Sequence, residues 1–268
     1  MVNWGLEKIL QTSVFRRVGA LMQPSRKELR SYQVRLVTDV CRTSSDVLVE
    51  QPTGSGKTLE IVALVGMHLN QRFSHAVIAA PQEQIEDGFV HRDYQVVAFP
   101  ECRGVAIPAV EVWEELIWGA RQSELGSVKR LLAYLRQPNP DHALACTHAA
   151  LNHLTADRLP SDLSRKALFI DEAHHASAGG LSQVVSDWRD RGGQLFFFTA
   201  TPYRGDGRPV ALDGMRLLRR SLAEHMAEGF APRHLESEIV ALGQPGDAIT
   251  AGQFTGEDAP PPSYFEGW

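Results

Sequence analysis

The segment Val47–Val65, VLVEQPTGSGKTLEIVALV, narrows the folds open to this chain more than any other feature. A short apolar run of strand character is followed at once by a turn containing Gly54 and Gly56, and then by an apolar run of helical character. Glycine at these two positions permits close backbone approach, so that successive N–H groups and the N-terminus of the following helix face one point. Four further runs, Ala76–Ala80, Ala143–Cys146, Leu168–Asp171 and Leu195–Thr199, are short, continuous and rich in Val, Ile, Leu, Phe and Ala. Helical stretches separate most of them. Strands without polar alternation are buried on both sides, so the pattern predicts an α/β fold with a mostly parallel central sheet and helices on both faces.

The remaining segments constrain less. Residues 1–28 read as an amphipathic lead-in, with Leu6, Ile9, Leu10, Val14, Val18 and Leu21 near helical spacing up to Pro24. Between Gln95 and Pro140 the spacing of Val112, Leu116 and Ile117, and then of Val128, Leu131, Leu132 and Leu135, predicts two helices. After Pro232 the helical pattern fades, and the last residues, DAPPPSYFEGW, have the proline content of a linker. The expected organisation is a lead-in over 1–28, one domain over 29–238, and a linker or the start of another domain over 239–268.

Three groups of residues carry chemistry. Lys57 and Thr58 open the helix after the glycine turn, where an ammonium can reach terminal phosphates and a hydroxyl can ligate magnesium. The strict eight-residue phosphate-loop pattern wants glycine where this chain has Gln51, so the match is imperfect. In KALFIDEAHHA, Asp171 and Glu172 end an apolar strand, and a carboxylate there points into the crevice where ligands bind in parallel sheets. Asp171 can hold magnesium while Glu172 polarises an attacking water as general base. His174 and His175 follow, but no cysteine or histidine is spaced to complete a zinc site with them. In QLFFFTATPYRGDG, the hydroxyls of Thr199 and Thr201 end another strand before Pro202 halts it. They are placed to transmit the state of a bound nucleotide by hydrogen bonding.

Charge and cysteine usage exclude some classes. A net charge of −5 rules out a generally basic nucleic-acid coat protein, so any nucleic-acid contact must be local. Cys41, Cys102 and Cys146 stand far apart with no CxxC pair, which fits a reducing, cytoplasmic setting better than a disulfide framework. No apolar run is long enough for a membrane span, and no membrane role is expected.

Taken in order, PTGSGKT at 52–58, DEAH at 171–174 and TATP at 199–202 resemble motifs I, II and III of superfamily 2 DExH-type helicases and translocases. The resemblance implies the N-terminal RecA-like domain of such a motor, with Pro52, Thr53, Gly54, Ser55, Gly56, Lys57 and Thr58 around ATP. Mg²⁺ would lie on Thr58 and Asp171, with Glu172 and His174 beside the reacting phosphate. LRSYQ at 29–33 is similar to the superfamily's adenine-reading segment, which implies that Gln33, with Tyr32 or Arg30 nearby, meets the base edge. A glutamine amide both donates and accepts, which suits adenine and not guanine. AAPQEQIEDGF at 79–89 and CTHAAL at 146–151 resemble the strand-tracking motifs, implying phosphate contacts from Pro81, Gln82, Thr147 and His148. Tyr203, Arg204 and Asp206 after the third motif look more like restriction-type and repair-type DNA translocases, which places Arg204 with the nucleic-acid residues and favours DNA over RNA.

A complete motor of this kind also has arginines from a second RecA-like domain, and no run resembling QxxGRxxR occurs here. An arginine supplied across the cleft is worth about 10³–10⁵ in rate. The expectation is a first motor domain that needs a second domain, in the full-length chain or from a partner, for efficient turnover. Three other readings compete: an ATP-dependent switch or remodelling subunit of a restriction, defence or repair complex, a non-catalytic interaction module with relic phosphate-binding residues, and a small-molecule P-loop kinase. The intact Lys57, Thr58, Asp171 and Glu172 speak against a relic, and the DEAH and TATP pair speaks against a kinase.

Overall fold

The computed structural model describes residues 25–69, 72–81, 89, 94–98, 110–112, 116–120, 126–175, 180–203 and 207–230. By packing, the chain divides into Met1–Ala231 and Pro232–Trp268, and the described residues all belong to the first unit. The strands are β1 (Ser25–Leu29), β2 (Val47–Glu50), β3 (His75–Ala80), β4 (Tyr94–Ala98), β5 (Val110–Val112), β6 (Ile117–Gly119), β7 (Ala143–Thr147), β8 (Lys166–Ile170), β9 (Gln194–Thr199) and β10 (Arg216–Arg219). The helices are α1 (Ser31–Cys41), α2 (Lys57–His68), α3 (Ser127–Arg136), α4 (His148–Asn152), α5 (Gly180–Asp190) and α6 (Leu222–Ala227). Seven strands form one sheet in the order β10-β2-β9-β8-β3-β7-β6. Every neighbouring pair in it is parallel. This is a RecA-like α/β arrangement, as the apolar strand pattern predicts.

Successive residues of a strand face opposite sides of its sheet, and this sorts the apolar side chains into two cores. Phe196 and Phe198 of β9, Phe169 of β8 and Val47 and Val49 of β2 face α1 and α2. Leu195 and Phe197, Leu168 and Ile170, and Leu48 face α3, α4 and α5 on the other side. The rings of Phe169 and Phe196 stack across adjacent strands with centroids 4.6 Å apart. In α2 the consecutive residues Ile61, Val62, Ala63 and Leu64 are fully buried, so this helix is apolar around most of its circumference, as suits a core element. Burial of each such large side chain stabilises by about 1.5–3 kcal/mol.

The strand order positions the chemistry. β9 lies between β2 and β8, so the turn after β2, the end of β9 and the residues after β8 meet at the C-terminal edge of three adjacent strands. That edge is where parallel sheets bind ligands.

One expectation is revised. Val112 and Ile117 belong to the strands β5 and β6 and not to a helix. Their spacing mimics a helical face, but β5 pairs with β4 and β6 extends the main sheet beside β7, and these distant partners decide the conformation. The helix expected around Val128–Leu135 is present as α3. A separate three-stranded sheet, β1-β4-β5, was not foreseen, and its first strand begins at Ser25. The lead-in before Ser25, the tail beyond Phe230, and Cys102, Gln82, Arg204 and Asp206 lie outside the described residues. Among the described residues no helix is long and apolar enough to cross a membrane.

Candidate active site

The turn after β2 adopts the shape that its glycines allow. Gly54 and Gly56 lie in the left-handed region with φ of 76° and 87°. A Cβ on Gly56 would lie 2.7 Å from Gln33 Nε2, whereas nothing lies within 4 Å of one on Gly54, so the loop is tight on one side and open on the other. Lys57, Thr58 and Leu59 form the first turn of α2, whose N–H groups have no carbonyl four residues back within the helix. The Leu59 N–H donates to the Gly56 carbonyl at 2.9 Å, which leaves the Lys57 and Thr58 N–H groups as the donor surface for an anion.

The loop is fastened from beneath. Ser55, 1% exposed, receives Tyr32 Oη and Gln33 Nε2 on its carbonyl, the latter at 3.1 Å. Its hydroxyl donates to Gln51 Oε1 at 2.9 Å, and Gln51 Nε2 donates to Glu60 Oε1 at 3.1 Å. Gln51 N–H donates to the Thr199 carbonyl at 3.0 Å, tying the loop to the end of β9. Lys57 Nζ, buried, donates to the carbonyls of Pro52 at 3.3 Å and Gln51 at 3.5 Å, and lies 3.8 Å from Glu172 Oε1.

Across the crevice, Asp171 is buried at the end of β8, its N–H on the Ala79 carbonyl at 2.9 Å and its Oδ1 accepting the Glu172 N–H at 3.0 Å. Glu172 has φ of 48°, an uncommon conformation for a residue with a Cβ and one typical of sites where geometry is imposed by function. Burial, reinforced by the neighbouring Glu172 carboxylate, pushes Asp171 up to about 6 against the pull of Lys57. His174 Nδ1 lies 2.9 Å from Thr199 Oγ1 and 3.4 Å from Glu172 Oε2. Thr199 Oγ1 donates to the Thr201 carbonyl at 2.8 Å and accepts the Thr201 N–H at 3.1 Å. With the hydroxyl proton so used and a carboxylate on its other side, His174 Nδ1 carries a proton. The residues after β8 and β9 are thus directly joined.

The oxygens of Thr58 and Asp171 are the donor type that magnesium takes. Two buried or half-buried carboxylates face one ammonium here, and a divalent cation would relieve that imbalance.

Other sequence-derived candidates are placed differently. Gln33 is 2% exposed, and its amide is engaged inside the protein: Oε1 accepts the Arg30 N–H at 2.9 Å while Nε2 serves the carbonyls of Ser55 and Gly56 at 3.1 and 3.3 Å. Tyr32 is buried with its ring edge-on to His225 and Phe230 and the Arg220 guanidinium 4.2 Å above it. Thr147 caps α4, its Oγ1 accepting the Ala150 N–H at 3.2 Å. His148 is 7% exposed, packed against the ends of β3 and β8, and burial pushes it down to about 4. Pro81 follows β3 and is half-buried. Gln51 and Glu60 were missed as site residues. The available signal was a lone carboxylate in the otherwise apolar helix LEIVALV. Glu60 is fully buried, and burial pushes it up to about 8.

Among solved structures, the chain is similar to the UvsW helicase from Bacteriophage T4, at 15% identity and a TM-score of 0.43 over 73% of this chain and 58% of that one. It is similar to a nuclease-deletion mutant of the Type ISP restriction-modification enzyme LlaGI in complex with a DNA substrate mimic, at 15% identity and a TM-score of 0.49 over 76% and 21% of the two chains. It is also similar to the Pyrococcus furiosus Hef helicase domain, at 18% identity and a TM-score of 0.45 over 65% and 33%. The chain therefore spans 58% or less of each of these relatives. No curated protein matches it. The family model described as "Type III restriction enzyme, res subunit" matches residues 26–204, a span that contains the phosphate loop, Asp171 to His174 and the Thr199–Pro202 segment. The chain belongs to that family, and its parallel sheet and crevice are the first RecA-like domain of a superfamily 2 helicase-type ATPase motor.

Proposed function

We propose that this domain binds ATP over the Gly54–Thr58 loop and couples its hydrolysis to movement along, or unwinding of, DNA. The observation that supports this most is the convergence at one crevice edge of Lys57, Asp171 and Glu172, with His174 bonded to Thr199. Lys57 and the first-turn amides of α2 hold the phosphates, and Glu172, 3.8 Å from Lys57 Nζ, is positioned to take the proton of an attacking water. Thr58 and Asp171 would hold magnesium, which would supply neutralisation of the charge that develops on the phosphates. A cleavage that changes the charge beside Glu172 and His174 alters the His174–Thr199 bond, and through Thr201 the segment leading to Tyr203. That is a route from nucleotide to the surface facing a second domain. A second RecA-like domain, in the same polypeptide or in a partner, supplies the arginines that complete the site, and Pro81 and Thr147, with Gln82 and Arg204 named from the sequence alone, are the candidates for contact with the nucleic-acid strand. Gln33 and Tyr32 support the adenine end of the loop from beneath, and Gln33 keeps one Oε1 lone pair beyond its bond to Arg30.

The restriction-subunit family favours DNA as the track. It also supports a second reading, an ATPase that controls a nuclease partner without separating strands. Strand displacement and ATPase assays on the full-length protein separate the two. Hydrolysis stimulated by DNA together with displacement of a paired strand, or of a third strand by a protein that moves along the duplex, supports the motor, stimulation with neither supports the switch, and ATPase indifferent to nucleic acid contradicts both.

A further inference from the structure

Glu60 stands where packing would favour a hydrocarbon. It lies one helical turn beyond Lys57, is fully buried between Leu59 and Ile61, and has no cation within ion-pairing distance among the described residues. Among the described residues its Oε2 has no hydrogen-bond partner, while its Oε1 accepts Gln51 Nε2 at 3.1 Å. Gln51 is itself 1% exposed and occupies the position where the standard phosphate loop has glycine. Every polar group of Gln51 is used: the amide N–H on Thr199, the carbonyl under Lys57 Nζ, the side-chain Nε2 on Glu60 and Oε1 under the Ser55 hydroxyl. The last two contacts require a fixed side-chain rotamer, and Glu60 and Ser55 are the groups that engage it.

We infer that Glu60 and Gln51 form a buried brace that sets the conformation of the phosphate loop, and that both are positioning residues for the ATP site. The inference rests on the ATP-binding reading only for its second half. The first half concerns the loop itself. Glu60 reaches the loop through Gln51 and Ser55 and touches no part of the nucleotide. With the Ser55 hydroxyl anchored below and its carbonyl held by Tyr32 and Gln33, the peptide from Ser55 to Gly56 is fixed from two directions, which orients the first-turn N–H groups before any phosphate arrives. The brace also explains how a non-glycine residue serves at position 51. Its side chain turns inward and supplies contacts that a bare glycine lacks.

The test uses the full chain as wild type, Glu60→Gln, Glu60→Leu and Gln51→Ala, read by amide hydrogen exchange over 53–56 without nucleotide, by magnesium-ATP affinity and by thermal unfolding. Gln retains an acceptor for Gln51 Nε2, and Leu does not. Glu60→Leu removes a half-satisfied buried carboxyl and at the same time strands the buried Gln51 Nε2, so its melting temperature should stay within a few degrees of wild type. It should nevertheless exchange several-fold faster in the loop and bind ATP about tenfold more weakly, the effect of about one lost oriented hydrogen bond. Glu60→Gln should restore both values to near wild type. Gln51→Ala severs the brace from its other end, should reproduce the Leu phenotype, and keeps the test decisive should the Leu protein not fold. Loop exchange in Glu60→Leu and Gln51→Ala equal to wild type, or a Gln variant as impaired as Leu, overturns the inference. A faster loop in these variants together with no ATP affinity in wild type supports the brace and defeats the ATP-binding reading.

Discussion

Thr199→Val isolates the link between the two carboxylate-bearing and hydroxyl-bearing strand ends. Valine matches threonine in shape and β-branching, so the fully buried site keeps its packing and loses only the hydroxyl. Three hydrogen bonds go with it, one with His174 Nδ1, one to the Thr201 carbonyl and one from the Thr201 N–H. Each is worth about 0.5–1.5 kcal/mol net. Thr201 is exposed, so water takes over its two backbone groups, while the half-buried His174 is less easily resolvated. The expected loss is about 1–3 kcal/mol, which for a domain of this size lowers the melting temperature by about 3–10 °C. Denaturant unfolding should give a lower midpoint at an unchanged slope, the mark of altered stability and not of an altered unfolded state. Thr199→Ser, which keeps the hydroxyl and loses a methyl, should cost about 1 kcal/mol. A valine variant as stable as wild type, or a serine variant less stable than the valine, would refute the account of this junction.

The remaining predictions concern the loop and its supports. Gly56→Ala forces a Cβ into the left-handed region at φ 87° and within 2.7 Å of Gln33 Nε2. The conformational strain alone is about 1–2 kcal/mol, and displacement of Gln33 adds to it, so calorimetry should show a destabilised protein with weakened ATP binding. Gly54→Ala has the same strain at φ 76° but open space around the Cβ, so a Gly54 variant losing more stability than the Gly56 variant would contradict the described geometry. Glu60 gives the domain a pH dependence. Its folded value of about 8 lies above the ordinary 4.5, so the proton it holds stabilises the fold fully below pH 4.5, and that stability is lost as pH rises through about 8. Between these limits the slope is at most about 1.4 kcal/mol per pH unit, and Glu60→Gln should flatten it. Melting curves of wild type and Glu60→Gln that fall in parallel from pH 5 to 8 would exclude a protonated Glu60.

Much of the fold was legible because its central strands are buried on both faces. Runs such as Leu195–Phe198 and Leu168–Ile170 have no polar alternation, and between helical stretches such runs mark the strands of a covered parallel sheet. The phosphate loop was legible because its shape depends on local residues, Gly54 and Gly56 with Lys57 beyond them. What was not legible depends on distant partners. β5 and β6 look like one helical face until β4 and β7 are supplied. β10, RLLR, is a mostly exposed edge strand whose partner among the described strands is β2, and its two leucines flanked by arginines are too short an apolar run to mark a strand. The same division runs through the candidate site. Lys57, Asp171 and Glu172 could be named from their neighbours in sequence, but the roles of Gln51 and Glu60 exist only through a contact spanning β2 and α2. Gln33 shows the reverse case: the sequence marks it for the base edge, and in the structure its amide spans the Arg30 N–H and the loop carbonyls.

The central claim is that this crevice binds nucleotide through Lys57. Isothermal titration of the chain with magnesium-ATP, compared with Lys57→Ala, tests it most directly. Lys57 Nζ is buried between the loop carbonyls and Glu172, and its removal takes away the only ammonium facing the phosphates among the described residues. The account predicts saturable binding by wild type and a loss of at least tenfold in the alanine variant, about 1.4 kcal/mol or more, while both proteins remain folded. Equal heats and equal affinities for the two proteins would contradict it.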